Sequence, residues 1–257
     1  MAINLLEEIK RDARWNGKDA FPSTLEWELE VNKWIVFIKN NGQLERFLPR
    51  LKDMPDKRDE ALAEISTAYF ISEIKESKII KWEPKGVDNK TGEFTFTICD
   101  GKEVFCEVKS PGWEADIVRR NRDYTRLEKP KHMNGEARFF NNATDIRQAI
   151  EKAYPKLPNN TLTLLVIRDD LWVSLNDDLF GAKEALFYEK LLPPYTDTKE
   201  NGCFISTEFE NLSGMATLNV ELSSKMKYCW KLYHNPHALN KFPDTFIKEW
   251  TVYEILF

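Results

Sequence analysis

The sequence predicts a mixed α/β fold with one β-hairpin set between two helices. Three observations carry this. Residues 92–111, GEFTFTICDGKEVFCEVKSP, alternate apolar and polar side chains on both sides of Asp100-Gly101. A strongly helical stretch, DEALAEISTAYFISEIKE, precedes the hairpin, with the short strand KIIKWE between them. A second helical stretch, DIRQAIEKAY, follows it and leads into TLTLLVIR, a nearly unbroken run of β-type residues. The order is therefore αβββαβ.

Taken from the start, residues 3–14 have the spacing of a short amphipathic helix. A second helix follows Pro22, capped by Ser23 or Thr24, with Leu25, Leu29, Trp34, Ile35 and Ile38 near helical spacing and Asn41-Gly42 as its stop. Leu44 to Leu51 forms a third, short helix leading to Pro55. The helix over Asp59–Glu76 places Leu62, Ile65, Tyr69 and Ile74 on one apolar side. Glu64 sits on the stripe Ala61, Glu64, Ala68, Ile71, apolar but for that carboxylate. Such a glutamate either bends out to water or points at something positive.

The strand Lys78–Glu83 comes next, then the hairpin. Because strand side chains repeat every second residue, Glu107 and Lys109 share a face. Burying either charge is costly unless it is paired or holds a metal. The turn decides whether Glu93 joins them. A two-residue loop at Asp100-Gly101 puts Glu93 on the face opposite Glu107. A three-residue loop, Cys99-Asp100-Gly101 with Gly101 left-handed, pairs Ile98 with Lys102 and puts Glu93 across from Glu107. Two facing carboxylates repel unless a divalent cation lies between them, and oxygen ligands suit Mg2+ or Mn2+.

After the hairpin, SPGWEADIVRRNRDYTRLEKPKH carries Arg119, Arg120, Arg122, Arg126, Lys129 and Lys131, against only Asp123 and Glu128 between positions 119 and 131, with Tyr124 among them. Basic residues with an interleaved aromatic can follow a phosphate backbone and stack on a base. The next helix, capped within Asn142-Ala143-Thr144-Asp145 and ended by Pro155, has Ile146, Ala149, Ile150 and Ala153 on its apolar face. Strand Thr161–Arg168 follows. The remainder predicts a helix near Gly181–Leu191 and strands at Cys203–Phe209, Ala216–Leu222 and Tyr228–Tyr233. His234 and His237, separated by a Pro236 turn, lack the helical spacing of a metal pair and are expected on the surface.

Glu93, followed by Glu107-Val108-Lys109 on the partner strand, resembles the signature of the PD-(D/E)XK nuclease superfamily. There an acidic residue opens one strand and a Glu-x-Lys or Asp-x-Lys triplet lies on the next. Gly92-Glu93 stands where that superfamily usually has Pro-Asp, and the extra methylene moves the carboxylate by roughly 1.5 Å. Asp88, in the preceding loop, is the other candidate for this acid.

The resemblance covers about residues 59–168 and implies a restriction-endonuclease-like αβββαβ core. On that division, residues 1–58 form an N-terminal helical region packed on the core, 59–170 the nuclease core, and 171–257 a C-terminal α/β extension of the same domain. It also implies a Mg2+- or Mn2+-dependent endo- or exonuclease. Glu93, Glu107 and the Val108 carbonyl would hold the ion, and Glu64 would complete or orient that set. Lys109 would stand against the attacking water or the phosphate, and Arg119–Lys131 would hold the nucleic-acid backbone. The second helix would offer Arg147, Gln148 or Lys152 to a substrate phosphate. The partners implied are nucleic acid, DNA as the expected form, with a homodimer allowed. A binding protein of the same fold without catalysis, and a protein-interaction domain, are the alternatives.

Composition bounds the rest. At 257 residues the chain can bury a substantial core, and its formal net charge of -5 confines any nucleic-acid site to a local patch. The four cysteines (Cys99, Cys106, Cys203, Cys229) have no C-x-x-C spacing. No signal-peptide pattern opens the chain and no apolar run is long enough to cross a membrane, so a cytoplasmic protein without a membrane partner is expected. No G-x-x-x-x-G-K, G-x-G-x-x-G, G-x-S-x-G or H-E-x-x-H occurs, which disfavours nucleotide, dinucleotide, serine-hydrolase and zincin chemistry.

Overall fold

The fold is described from a computed structural model, over residues 5–14, 25–98, 100–110, 142–169, 181–188, 202–222 and 226–256. Four helices come first: α1 (Leu5–Asp12), α2 (Leu25–Asn40), α3 (Leu44–Leu51) and α4 (Pro55–Tyr69). Gly42, at φ +68°, turns the chain out of α2, a backbone setting that side chains other than glycine's resist. Pro55 occupies the first turn of α4, where its missing N–H costs nothing. A π-turn, Phe70–Ile74, continues α4.

The strands are β1 (Ile79–Trp82), β2 (Phe94–Thr97), β3 (Glu103–Lys109), β4 (Leu162–Asp169), β5 (Gly214–Leu222), β6 (Met226–His234) and β7 (Val252–Leu256). They form one mixed seven-stranded sheet in sequence order. Pairs β3–β4 and β4–β5 are parallel and all the others antiparallel. Between β3 and β4 runs α5 (Asn142–Ala153), ended by a 3-10 turn at Tyr154–Lys156. Between β4 and β5 lies α6 (Ala182–Phe187), and α7 (Asp244–Trp250) lies between β6 and β7. The fold is thus mixed α/β, with the order α4-β1-β2-β3-α5-β4 at its centre.

Side-chain alternation sorts the sheet into two cores. Val104, Cys106, Val108, Leu164, Val166, Leu218 and Trp230 pack with α1–α4 and α7 on one face. Phe105, Leu165, Ile167, Met215 and Tyr233 pack with α5 and α6 on the other. The central strands are therefore covered on both sides, as an unbroken apolar run such as TLTLLVIR requires.

The hairpin adopts the longer of the two turns. Ile98 donates its N–H to the Lys102 carbonyl at 3.0 Å, Gly101 sits at φ +78°, and Phe94 pairs with Cys106. The regular ladder ends there: Glu93 donates its N–H to the carbonyl of the same Cys106 at 3.0 Å, so the alternation breaks as in a β-bulge and Glu93 does not pair with Glu107 as the three-residue turn predicts.

Two parts of the C-terminal stretch differ from expectation. Cys203–Phe209 is not a strand: it forms turns and a short 3-10 helix at Thr207–Phe209, with the Ser206 hydroxyl accepting the Glu208 N–H. Cys203, Phe204 and Phe209 are buried there as separate anchors into the second core, which mimics strand composition without strand pairing. Conversely, α7 and the edge strand β7 form where no element was expected; Pro243-Asp244 gives α7 its start. No helix among the described residues is long and apolar enough to cross a membrane.

Candidate functional site

Glu93 is fixed by backbone before its side chain is considered. Its N–H donates to the Cys106 carbonyl and its carbonyl accepts the Glu83 N–H, both at 3.0 Å. Held between β1 and β3, it turns its carboxyl group to Arg46 of α3 and Glu64 of α4. The preceding Gly92 lies against the Phe105 ring, where a Cβ would come 2.3 Å from the ring. A side chain at position 92, the proline of the usual superfamily pair included, could not sit here without moving Phe105.

Glu107 is fully buried. Its Oε1 accepts Lys109 Nζ at 2.6 Å, from the same strand, and also Lys156 Nζ, from the turn after α5. Its Oε2 is buried without a hydrogen-bond partner. Burial works against the Lys156 ammonium, but the hydrogen bond and charge of Glu107 outweigh it and hold the lysine above its ordinary value.

Glu64 points inward from α4 and is 6% exposed, so the solvated alternative does not hold. Arg50 clamps it from α3 through Nη1 and Nη2 at 2.9 and 2.6 Å, a two-pronged pairing. Arg46, one turn earlier on α3, places Nη2 at 3.1 Å from Glu93 and 3.5 Å from Glu64, and Nε at 3.5 Å from Glu83. Burial pushes the Glu93 carboxyl up to about 9, with the charges of Glu64 and Glu107 adding to it and Arg46 opposing. Glu64 and Glu93 thus crowd two carboxyl groups against the one guanidinium of Arg46.

The structure thus brings together three of the expected residues and their lysine: Glu64, Glu93, Glu107 and Lys109. Val108 turns its side chain into the first core, so only its backbone could serve. Asp88 is exposed, in a left-handed turn at φ 52°, and no contact ties it to these carboxylates. Arg147 is 9% exposed on α5, where it donates to Glu151 at 3.1 Å and to Cys203 Sγ at 3.8 Å, away from the carboxylates. Lys152 is exposed on the last turn of α5. Arg119, Arg120, Arg122, Arg126, Lys129 and Lys131 lie outside the described residues. Sequence reasoning missed Arg46, Arg50 and Lys156. The one signal for the arginines is their i, i+4 spacing around Phe47 on α3; nothing local marks Lys156.

Among the described residues, no group of three or more His, Cys, Asp or Glu side chains is set closely enough to hold a metal. Arg50 commits both oxygens of Glu64. The pair Glu93 and Glu107 remains: hard oxygen donors near enough for the charge of one to act on the other, one with an unsatisfied buried oxygen. That chemistry fits Mg2+ or Mn2+ as a two-carboxylate site.

No protein-family profile matches the chain, and no curated protein matches it in sequence. One match among solved structures is SfsA of Pyrococcus furiosus in complex with Ca2+, at 15% identity and a TM-score of 0.27. It covers 70% of this chain and 64% of that one, so the chain spans just under two thirds of that protein's length. A likeness this loose carries no argument about the fold or the site.

Proposed function

We propose that the protein is a divalent-metal-dependent nuclease of the PD-(D/E)XK type, hydrolysing phosphodiester bonds in nucleic acid, with DNA as the expected substrate. The observation that supports it best is the buried Glu107, beside Lys109 and within reach of the charge of Glu93, with one oxygen unsatisfied. An acidic pair buried at this cost calls for a positive partner that the fold supplies only on Oε1.

In this reading Glu93 and Glu107 hold Mg2+ or Mn2+, with the Val108 carbonyl as the backbone donor. Glu64 orients Glu93 and is itself held by Arg50. The ion supplies Lewis-acid polarisation of the phosphate and charge stabilisation of the leaving oxygen. Lys109 Nζ is free to turn from Glu107 toward the phosphate or the attacking water, where it can move a proton or balance developing charge. Lys156 stays on Glu107 and fixes which oxygen that carboxylate presents. Arg119–Lys131 holds the nucleic-acid backbone.

A specific observation favours a second reading, a nucleic-acid-binding protein of this fold without catalysis. Arg46, Arg50, Lys109 and Lys156 already neutralise the three carboxylates, and no three-acid cluster stands among the described residues. Incubation with plasmid and with single-stranded DNA, in Mg2+ or Mn2+ against EDTA, separates the two. Metal-dependent cutting is expected. Nucleic-acid binding without cutting, in protein that takes up no Mn2+ by calorimetry, would establish the second reading instead.

A further inference from the structure

Three carboxylates from three separate segments converge on Arg46: Glu64 from α4, Glu83 after β1, and Glu93 before β2. The guanidinium lies 4.6 Å from the Phe47 ring centroid and 5.6 Å from that of Trp82, and makes one directed hydrogen bond, from Nη2 to Glu93 at 3.1 Å. Its contacts are single-pronged, at 3.1 to 3.5 Å, and its Nη1 is buried without an acceptor. Arg50, one turn away, shows what a committed pair looks like: two prongs, at 2.6 and 2.9 Å, on one carboxylate. Arg46 has the geometry of a placeholder.

We infer that Arg46 is a built-in counter-ion that a divalent cation must displace from Glu93, so that metal uptake and release of this guanidinium are one event. The inference rests on the metal-centre reading above. A dication and a guanidinium cannot both neutralise the same carboxyl oxygen: each raises the cost of the other, and the linkage is reciprocal. Arg46 is 18% exposed at the side chain, so part of it already meets solvent.

Calorimetric Mn2+ titrations of the whole chain at neutral pH, as wild type, Arg46→Gln and Arg46→Lys, test it. Arg46→Gln should bind Mn2+ at least tenfold more tightly than wild type, and Arg46→Lys, which keeps the charge, within about threefold of it (tenfold is about 1.4 kcal/mol). The metal-free Arg46→Gln protein should melt lower than wild type and recover more on adding Mn2+. If wild type binds Mn2+ and Arg46→Gln binds it equally or more weakly, Arg46 supports the metal rather than competing with it; the inference falls and the metal centre stands. If neither binds Mn2+, the metal centre falls and takes the inference with it. Should Arg46→Gln not fold, wild-type protein decides: in arginine side-chain NMR, Mg2+ must shift the Arg46 Nε–H and speed its exchange, and an unmoved signal overturns the inference.

Discussion

Glu107 and Lys109 lie two residues apart on one strand, yet their substitution should not cost the same things. Lys109 is a quarter exposed and can leave Glu107 for substrate, while Glu107 is fully buried and keeps Lys156 as a second partner. Lys109→Ala should lower cleavage by about 10²–10⁴-fold, the usual range for a proton-transferring group, with Mn2+ binding kept. Glu107→Gln should lose both, because it removes the donor oxygen while preserving shape. Cleavage and Mn2+ calorimetry on the same preparations check the pair; a Lys109→Ala protein that cuts normally removes the role given to that lysine. Glu93 adds a pH dependence. Its folded-state value near 9 lies above the ordinary 4.5, so between those values the folded protein binds a proton that the unfolded chain has lost. Stability from this group is full below about 4.5 and is lost as pH rises through 9. Metal-free wild type should melt progressively lower from pH 5 to pH 9, and Glu93→Gln should flatten the trend. A wild-type curve already flat over that window contradicts the assignment.

At the scale of elements, the hairpin positions the acids through its turn and its first glycine. Gly92→Ala would drive a Cβ to 2.3 Å from the Phe105 ring, which is 2% exposed and cannot swing aside. It should cost about 1–3 kcal/mol, the range for overpacking, and weaken Mn2+ binding because Glu93 is next in the chain. Urea unfolding and calorimetry measure the two effects, and an unchanged midpoint would mean the ring has room. The hairpin is also where the sequence was most legible. A strict period of two put Glu107 and Lys109 on one face, and Glu64 showed itself as one carboxylate on an otherwise apolar stripe, but the period fails at Glu93, whose N–H shares Cys106 with the pair at Phe94. The cations were not legible. Arg46 and Arg50 stand 47 and 14 residues from the glutamates they meet, and Lys156 stands 49 residues from Glu107. No local pattern encodes such contacts, because sheet pairing and helix docking make them. The misassigned strand at 203–209 has the same origin: tertiary anchoring of apolar residues in a turn imitates strand composition.

Across the whole molecule, a ladder of aromatic rings ties the C-terminal stretch to the hairpin. Trp250, on α7, stacks on Phe96 of β2 at 5.8 Å and on Phe246 at 4.7 Å, and meets Trp230 of β6 edge-on at 5.6 Å. Trp230 in turn stacks on Phe70, just after α4, at 5.0 Å and donates its indole N–H to the Trp250 carbonyl. Helix α4, strand β2, strand β6 and helix α7 therefore share one aromatic core, and the last seven-residue helix closes it directly behind the strand that follows Glu93. The contacts argue that this helix is integral to the fold and is no appendage. Trp250→Ala should cost about 3–5 kcal/mol, the range for emptying a large aromatic site in a core, and should do so in one cooperative transition. It should also weaken Mn2+ binding, because Phe96 loses a neighbour three residues along the strand from Glu93. Trp250→Phe, which refills most of the volume, should recover the greater part of both. Urea unfolding followed by tryptophan fluorescence and by far-UV dichroism gives the test. Two separate transitions, with the hairpin and its metal affinity surviving the first, would show that the C-terminal stretch folds on its own and leaves the site untouched.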